Sequence, residues 1–327
     1  MYLDFSFLKN RKNLLAFSAG VDSTSLFFLL LQNSIDFDIA IVNYNLREQS
    51  KDEIKYAKDL AKQYNKKIFI KDIKLESNSN FEKNARDIRY QFFQSIIKEH
   101  SYEVLLTAHH LNDLFEWFLM QFSKGAGLVE LLGMQTIEEK DDYFIYRPLL
   151  NISKQELEIF LQQNSLKYFI DSSNSSEIYK RNYFRKNFSN SFIAEFKDGV
   201  KNSFQYLNND LNSLNIDYKP IFSKFELEIF KNLKDDNLNL RVIDKSLKKR
   251  GLLLSKKNKD EILKQKSITI SHKINISIFE NLIYIAPKTD IVLPKRAKEY
   301  YRVNKIPQNI RAYLFSKNIK IVLNKLD

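Results

Sequence analysis

The run Ser18-Ala19-Gly20-Val21-Asp22-Ser23 gathers small residues, hydroxyls and a carboxylate between two apolar stretches. Before it stands Asn13-Leu14-Leu15-Ala16-Phe17, and after it an amphipathic run that begins Thr24-Ser25-Leu26-Phe27-Phe28. That order reads as strand, tight loop, helix. Such a loop cradles phosphate, because its N–H groups and the helix dipole converge on an anion. Ser18, Ser23 and Thr24 add hydroxyl donors. The chain has 6 glycines in 327 residues, so one in this loop stands out. Gly20 is expected to give a positive-φ turn or a close backbone approach to ligand. No Gly-Lys-Ser/Thr follows, so the loop is not a Walker A motif.

Three further constellations carry charge at useful spacing. Thr107-Ala108-His109-His110-Leu111-Asn112-Asp113-Leu114-Phe115-Glu116 holds two of the 4 histidines. It follows an apolar run and opens a helix, which gathers His109, His110 and Asp113 at one sheet edge. The spacing is not the His-x-x-x-His arrangement of zinc helices. Glu116 reads as an acidic first-turn residue. Arg86 and Arg89, in Asn84-Ala85-Arg86-Asp87-Ile88-Arg89-Tyr90, share a helix face and suit phosphate or carboxylate. The same pair fits a solvated face matched to Glu82 and Asp87. Arg181-Asn182-Tyr183-Phe184-Arg185 interleaves cations with rings, as RNA recognition does. Exposed arginines on a helix are the alternative.

The elements that position these residues alternate. Leu14–Phe17, Phe37–Asn43, Lys67–Ile73 and Val104–Ala108 read as buried strands. Thr24–Gln32, Gln49–Tyr64, Phe81–Glu99 and Asn112–Ser123 read as helices. Repeated strand–helix units predict a parallel sheet, with ligands at the carboxyl ends of its strands. The Ser18 loop, Asn43–Arg47 and Thr107–Asp113 all fall at such ends. Gly125, Gly127 and Gly133 mark a turn-rich segment, and Ser153 with Glu156 forms a capping box. Beyond about residue 190 the pattern changes. Asn202–Leu214, Phe225–Lys234 and Leu240–Lys249 have helical spacing, and alternating β-branched runs begin at Ser267. The expected fold class is α/β. A Rossmann-like parallel sheet carrying the loop fills residues 1–190. A second region, 191–327, is expected to be helical to about 262, with short strands after.

Bulk composition narrows the function. Net charge is +12, which favours a polyanionic partner, although lysine enrichment across a genome gives the same sign. Cysteine is absent, so disulfides, thiolate zinc sites and thiol catalysis are excluded. No apolar run is long enough to span a membrane, and the N-terminal residues lack signal-peptide character. A cytoplasmic protein is the expectation.

The Ser18–Ser23 loop resembles the PP-loop of the N-type ATP pyrophosphatases, Ser-Gly-Gly-x-Asp-Ser, with Ala19 in place of the first glycine. In order and spacing, the whole set of motifs resembles one family of that group, the tRNA(Ile)-lysidine synthases. The matches are Asn43-Tyr44-Asn45-Leu46-Arg47, Ala85-Arg86 through Arg89-Tyr90, Thr107 through Asp113, and Gly127-Leu128 through Gly133-Met134. Arg147-Pro148-Leu149-Leu150, Asp171-Ser172-Ser173-Asn174 and Arg181 through Arg185 complete them. Besides Ala19, Tyr44 and Trp117 depart from the family pattern.

The resemblance implies an ATP-dependent ligase that joins free L-lysine to C2 of cytidine 34 in a tRNA(Ile) with a CAU anticodon. Ser18, Ala19, Gly20, Val21, Asp22 and Ser23 would bind ATP, with Mg2+ at Asp22. Asp113, Arg86, His109 and His110 would be catalytic. Arg89, Arg147, Arg181 and Arg185 would contact tRNA or phosphate. A homodimer stays open. Two other readings compete: another PP-loop ligase or amidotransferase, and a tRNA-binding protein without catalysis.

Overall fold

A computed structural model describes residues 3–45, 49–73, 81–170, 180–214 and 216–321. Leu46 and Arg47 of one motif, and Asp171-Ser172-Ser173-Asn174 of another, lie outside the described residues. The chain divides into two compact units, Met1–Leu211 and Asn212–Asp327.

The first unit is built on a six-stranded sheet in the order β3-β2-β1-β4-β6-β5. Its strands are β1 (Asn13–Ala16), β2 (Asp38–Asn43), β3 (Ile68–Asp72), β4 (Val104–Leu106), β5 (Ile137–Glu139) and β6 (Phe144–Tyr146). All pairings are parallel except β5 with β6. The central strands carry near-continuous apolar runs, Leu14–Ala16, Ile39–Val42 and Val104–Leu106, because both faces are covered. Alternate residues point to opposite faces. Leu15, Ile39, Ile41, Val104 and Leu106 meet helices α1 (Val21–Gln32), α2 (Gln49–Gln63) and α6 (Lys154–Gln163) on one face. Leu14, Ala40, Leu105 and Ile145 meet Phe93, Ile96 and Ile97 of α3 (Phe81–His100) on the other.

A smaller apolar cluster packs α4 (Leu111–Phe122) and α5 (Leu128–Leu131) against α8 (Asn190–Ser213), through Leu114, Phe115, Leu132, Ile193 and Phe204. Between α7 (Lys180–Phe184) and α8 the chain makes a π-helical turn, Arg185–Ser189. Two of the clustered glycines have a backbone reason to be there. Gly125 takes φ +72° in the turn after α4. A Cβ on Gly133 would sit 3.3 Å from the Trp117 ring.

The second unit is a five-stranded antiparallel sheet, β7-β8-β11-β10-β9. The strands are β7 (Phe222–Lys224), β8 (Leu227–Lys231), β9 (Ser267–Ile270), β10 (Ile274–Phe279) and β11 (Leu282–Pro287). Helices α9 (Asp236–Lys249) and α10 (Lys256–Gln265) cover one face, with Val242, Leu247 and Ile262 on Phe230, Ile276 and Ile283. Helices α11 (Lys295–Val303) and α12 (Gln308–Ser316) cover the other, with Tyr301, Ile310 and Leu314 near Leu227, Ile229 and Tyr284.

The helix expected over Phe225–Lys234 is a strand instead. Leu227 and Ile229 enter one cluster while Phe230 enters the other. The alternation Leu227-Glu228-Ile229 decides the segment once β11 is there to pair with it. Helices α11 and α12, which follow the strands, were not expected. Among the described residues no helix is long and apolar enough to cross a membrane.

Candidate active site

The loop after β1 folds around its own hydroxyls. Ser23 Oγ accepts the Ser18 backbone N–H at 3.1 Å and lies 3.1 Å from Ser18 Oγ. Gly20 caps α1 with φ −79° and ψ 174°, an ordinary extended conformation open to any residue. The positive φ falls one residue earlier, on Ala19, at +60°. Position 19 therefore does the turning, and the alanine there sits in the left-handed region that glycine favours. The turn lets the Ala19 carbonyl accept from Phe169 N–H at 2.9 Å. It also leaves the open N-terminus of α1 at the carboxyl edge of the sheet.

Asp22 stands in the first turn of that helix. Its Oδ1 is buried without a hydrogen bond and lies 3.5 Å from His110 Nε2. The same nitrogen is 3.4 Å from Asp113 Oδ2, so one imidazole links two carboxylates from different helices. His110 is the N-cap of α4, and its ring and the Asp113 carboxylate form a capping box there. Burial pushes the Asp22 carboxyl up, and Asp113 adds to the rise, while His110, Lys154 and Arg185 oppose it.

Asp113 is the best-connected carboxylate. Its Oδ2 accepts the backbone N–H of His110 at 3.1 Å, closing the first turn of α4. Its Oδ1 accepts from Arg181 Nη2 at 2.9 Å and from Arg185 Nη2 at 3.3 Å. Burial alone would raise this carboxyl. His110, Arg181, His109 and Arg185 overcome that and hold it below the usual carboxylate range.

One turn along α4, Glu116 faces the same way and is 1% exposed. Arg181 Nε donates to one of its oxygens, and Arg185 Nε to the other at 2.9 Å. The result is a closed quartet of two carboxylates and two guanidiniums. Each arginine spans both acids, the side-on geometry that guanidinium provides and ammonium does not. Burial still leaves the Glu116 carboxyl raised, despite Arg181 and Arg185.

His109 takes a different part. Its Nδ1 is 2.9 Å from Thr107 Oγ1. Burial pushes its pKa down to about 3, with Arg147, Arg181 and Arg86 adding to the effect against Asp113. It is therefore a neutral imidazole at physiological pH. Arg86 is exposed on α3, with its guanidinium 4.6 Å from the Tyr90 ring centre. Arg147 follows β6 and is buried, donating to Glu138 at 2.7 Å and to the Gln135 carbonyl at 2.8 Å. Its Nε has no partner. Arg89 acts electrostatically on Tyr44, whose hydroxyl donates to the Ala85 carbonyl at 2.8 Å.

Ser18, Asp22, Ser23, His110, Asp113, Arg181 and Arg185 thus form one connected site. His109 adjoins it, with Arg86 and Arg147 close enough to bias its charge. Arg89 belongs to the α3–Tyr44 contact. Sequence reasoning gave Glu116 only a helix-end role. Its spacing of three from Asp113 was the available signal, since that places both acids on one face.

Among the described residues no group of three His, Cys, Asp or Glu side chains is disposed to hold a metal. Magnesium needs fewer protein ligands, because phosphate oxygens and water complete its shell. Asp22 Oδ1, which accepts no hydrogen bond beside the Ser18–Ser23 loop, fits that requirement.

A family model described as a PP-loop domain matches residues 3–192. The tRNA(Ile)-lysidine synthase of Campylobacter jejuni (strain RM1221) is 46% identical over 315 residues, covering 96% of this chain and 95% of that protein. The tRNA(Ile)-lysidine synthase of Helicobacter pylori (strain ATCC 700392 / 26695) is 42% identical, covering 96% of this chain and 92% of that one. Among solved structures, the U34-tRNA thiolase NcsA from Methanococcus maripaludis with its [4Fe-4S] cluster has a TM-score of 0.52 at 18% identity. The match covers 63% of this chain and 75% of that one. That likeness is one of fold, and a chain without cysteine cannot supply thiolate ligands to such a cluster. With likeness running nearly end to end and a PP-loop domain over most of the first unit, the chain belongs to the tRNA(Ile)-lysidine synthases.

Proposed function

We propose that this chain joins the ε-amine of free L-lysine to C2 of cytidine 34 in tRNA(Ile) with a CAU anticodon, converting ATP to AMP and pyrophosphate. One observation carries the reading. His110 lies within 3.5 Å of both Asp22, at the phosphate loop, and Asp113, in the acid–arginine quartet. A nucleotide site and a site for a charged amino acid therefore share one residue.

The chemistry divides into two displacements. In the first, cytosine O2 bonds to the α-phosphorus and the bond to the β-phosphate oxygen breaks, releasing pyrophosphate. The Ser18–Ser23 loop and the N-terminus of α1 hold the departing phosphates. Asp22 would hold magnesium together with phosphate oxygens, and the ion would supply charge neutralisation. In the second, the lysine nitrogen bonds to C2, the C2–O bond breaks, and AMP leaves.

Lysine arrives as an ammonium, since its free pKa is about 10.4. Asp113 anchors it, and His110, 3.4 Å from that carboxylate, relays the proton the amine loses. The quartet carries both signs that a zwitterionic amino acid presents, so lysine exchanges with existing ion pairs rather than entering a bare pocket. His109, neutral and donor-capable, contacts the nucleotide or base, and Arg86 orients the activated base. Cytidine 34 reaches the site by leaving an unpaired loop at modest cost. The setting is the cytoplasm, and the basic second unit holds the remainder of the tRNA.

The test is AMP release. It is expected only when ATP, lysine and CAU-anticodon tRNA(Ile) are all present. Release with a small acid and ammonia in place of tRNA would favour a different PP-loop ligase. Tight tRNA binding with no AMP would favour a binding protein.

A further inference from the structure

The turn between β7 and β8 has only two residues, Phe225 and Glu226, with Lys224 paired to Leu227 across the hairpin. Phe225 takes φ +53°, and Glu226 is not in the positive region. A two-residue hairpin turn with positive φ at its first central position is the kind that glycine supplies. A bulky side chain there is strained, and such strain persists only where the surroundings enforce it.

The surroundings do enforce it. Glu226 N–H donates to the Tyr313 hydroxyl at 3.2 Å. The Glu226 carbonyl accepts from Arg250 at 2.9 Å, and Arg250 is itself bound to Glu228 at 2.6 Å. The ring gains no burial in return, being 65% exposed. Two exposed lysines flank it, with Lys224 Nζ 5.8 Å and Lys317 Nζ 5.9 Å from the ring centre. Neither is ion-paired among the described residues.

An exposed ring beside a pinned backbone, with two ammonium groups within 6 Å, is the chemistry that meets single-stranded or terminal nucleotides. The ring stacks on a base while the ammonium groups meet phosphate. We infer that Phe225 is an RNA contact, stacking on an unpaired or terminal base of the bound tRNA, with Lys224 and Lys317 on the adjoining phosphates. The chain's net charge of +12 favours this occupant over a second protein surface. The inference rests on the proposed tRNA substrate and adds a substrate-contacting residue in the second unit.

The test uses the full chain with Phe225→Gly, which removes the ring and relieves the backbone, and Phe225→Trp, which keeps a stacking surface. The glycine variant is expected to melt no lower than wild type, yet to bind tRNA about tenfold more weakly. Its KM for tRNA rises by the same factor while kcat at saturating tRNA holds. The tryptophan variant is expected to stay close to wild-type affinity. Wild-type tRNA affinity in the glycine variant would overturn the inference, as would equal loss in both variants. A changed oligomeric state with unchanged tRNA affinity would assign the ring to a second copy and overturn it too. If wild type forms no lysidine, the functional reading fails, while the tRNA titration still decides the contact.

Discussion

Ala19 holds a backbone conformation that its own methyl group resists. The left-handed region costs an L-residue about 1–2 kcal/mol relative to the right-handed one, and Ala19 occupies it at φ +60°. Its methyl is fully buried in the main cluster, which returns about 0.8 kcal/mol. Two consequences follow for urea unfolding. Ala19→Gly is expected to change stability by less than about 1 kcal/mol, because relief of strain and loss of the buried methyl nearly cancel. Ala19→Val is expected to cost at least about 2 kcal/mol, because a β-branched residue both strains at positive φ and overfills the site. His109 makes a second claim at this scale. Its pKa falls from 6.5 to about 3 on folding, so the unfolded chain takes up a proton first. Stability from this residue is complete above pH 6.5 and drains away as pH falls towards 3. His109→Gln is therefore expected to flatten the stability–pH curve in that window, measured by denaturant midpoints against wild type.

Among the elements, α4 and the α7 turn are joined by ions rather than by apolar contact alone. The acids cannot reach water, with side chains 9% and 2% exposed for Asp113 and Glu116, whereas Arg181 and Arg185 are 39% and 21% exposed. Removing the arginines strands two buried charges, while removing one acid frees cations that can turn outward. Arg181→Ala with Arg185→Ala is thus expected to cost about 3 kcal/mol, and Glu116→Gln about 1 kcal/mol. Equal costs would contradict the asymmetry. The quartet also marks how far the sequence could be read. The strands from Leu14 to Leu106 announced themselves because a sheet covered on both faces needs unbroken apolar runs. The Ser18 and Thr107 motifs could be placed because loops at strand ends are local. The acid partners of Arg181 and Arg185 were not legible in the sequence, because they lie more than 60 residues away. Phe225–Lys234 read as helix because its partner strand β11 lies more than 50 residues further along the chain. In the Ser18–Ser23 loop the positive φ falls on Ala19, where the family pattern has its first glycine, and not on Gly20.

For the molecule as a whole, the chain divides into two compact units. The first contains the PP-loop domain, the Asp22–His110–Asp113 link and the acid–arginine quartet. The second is a sheet covered by helices on both faces and carries lysine-rich helices and the Phe225 turn. A net charge of +12 suits a polyanionic substrate, so tRNA affinity in this account rests partly on phosphate contacts that salt weakens. The central claim is that Asp113 joins lysine handling to the nucleotide site. It is tested most directly by following labelled lysine into CAU-anticodon tRNA(Ile) with ATP, using wild type, Asp113→Ala and the near-isosteric Asp113→Asn. The account predicts label at cytidine 34 with wild type, and at least about a hundredfold less with both variants while each still binds tRNA. Wild-type incorporation by Asp113→Asn, or no incorporation by wild type, would contradict it.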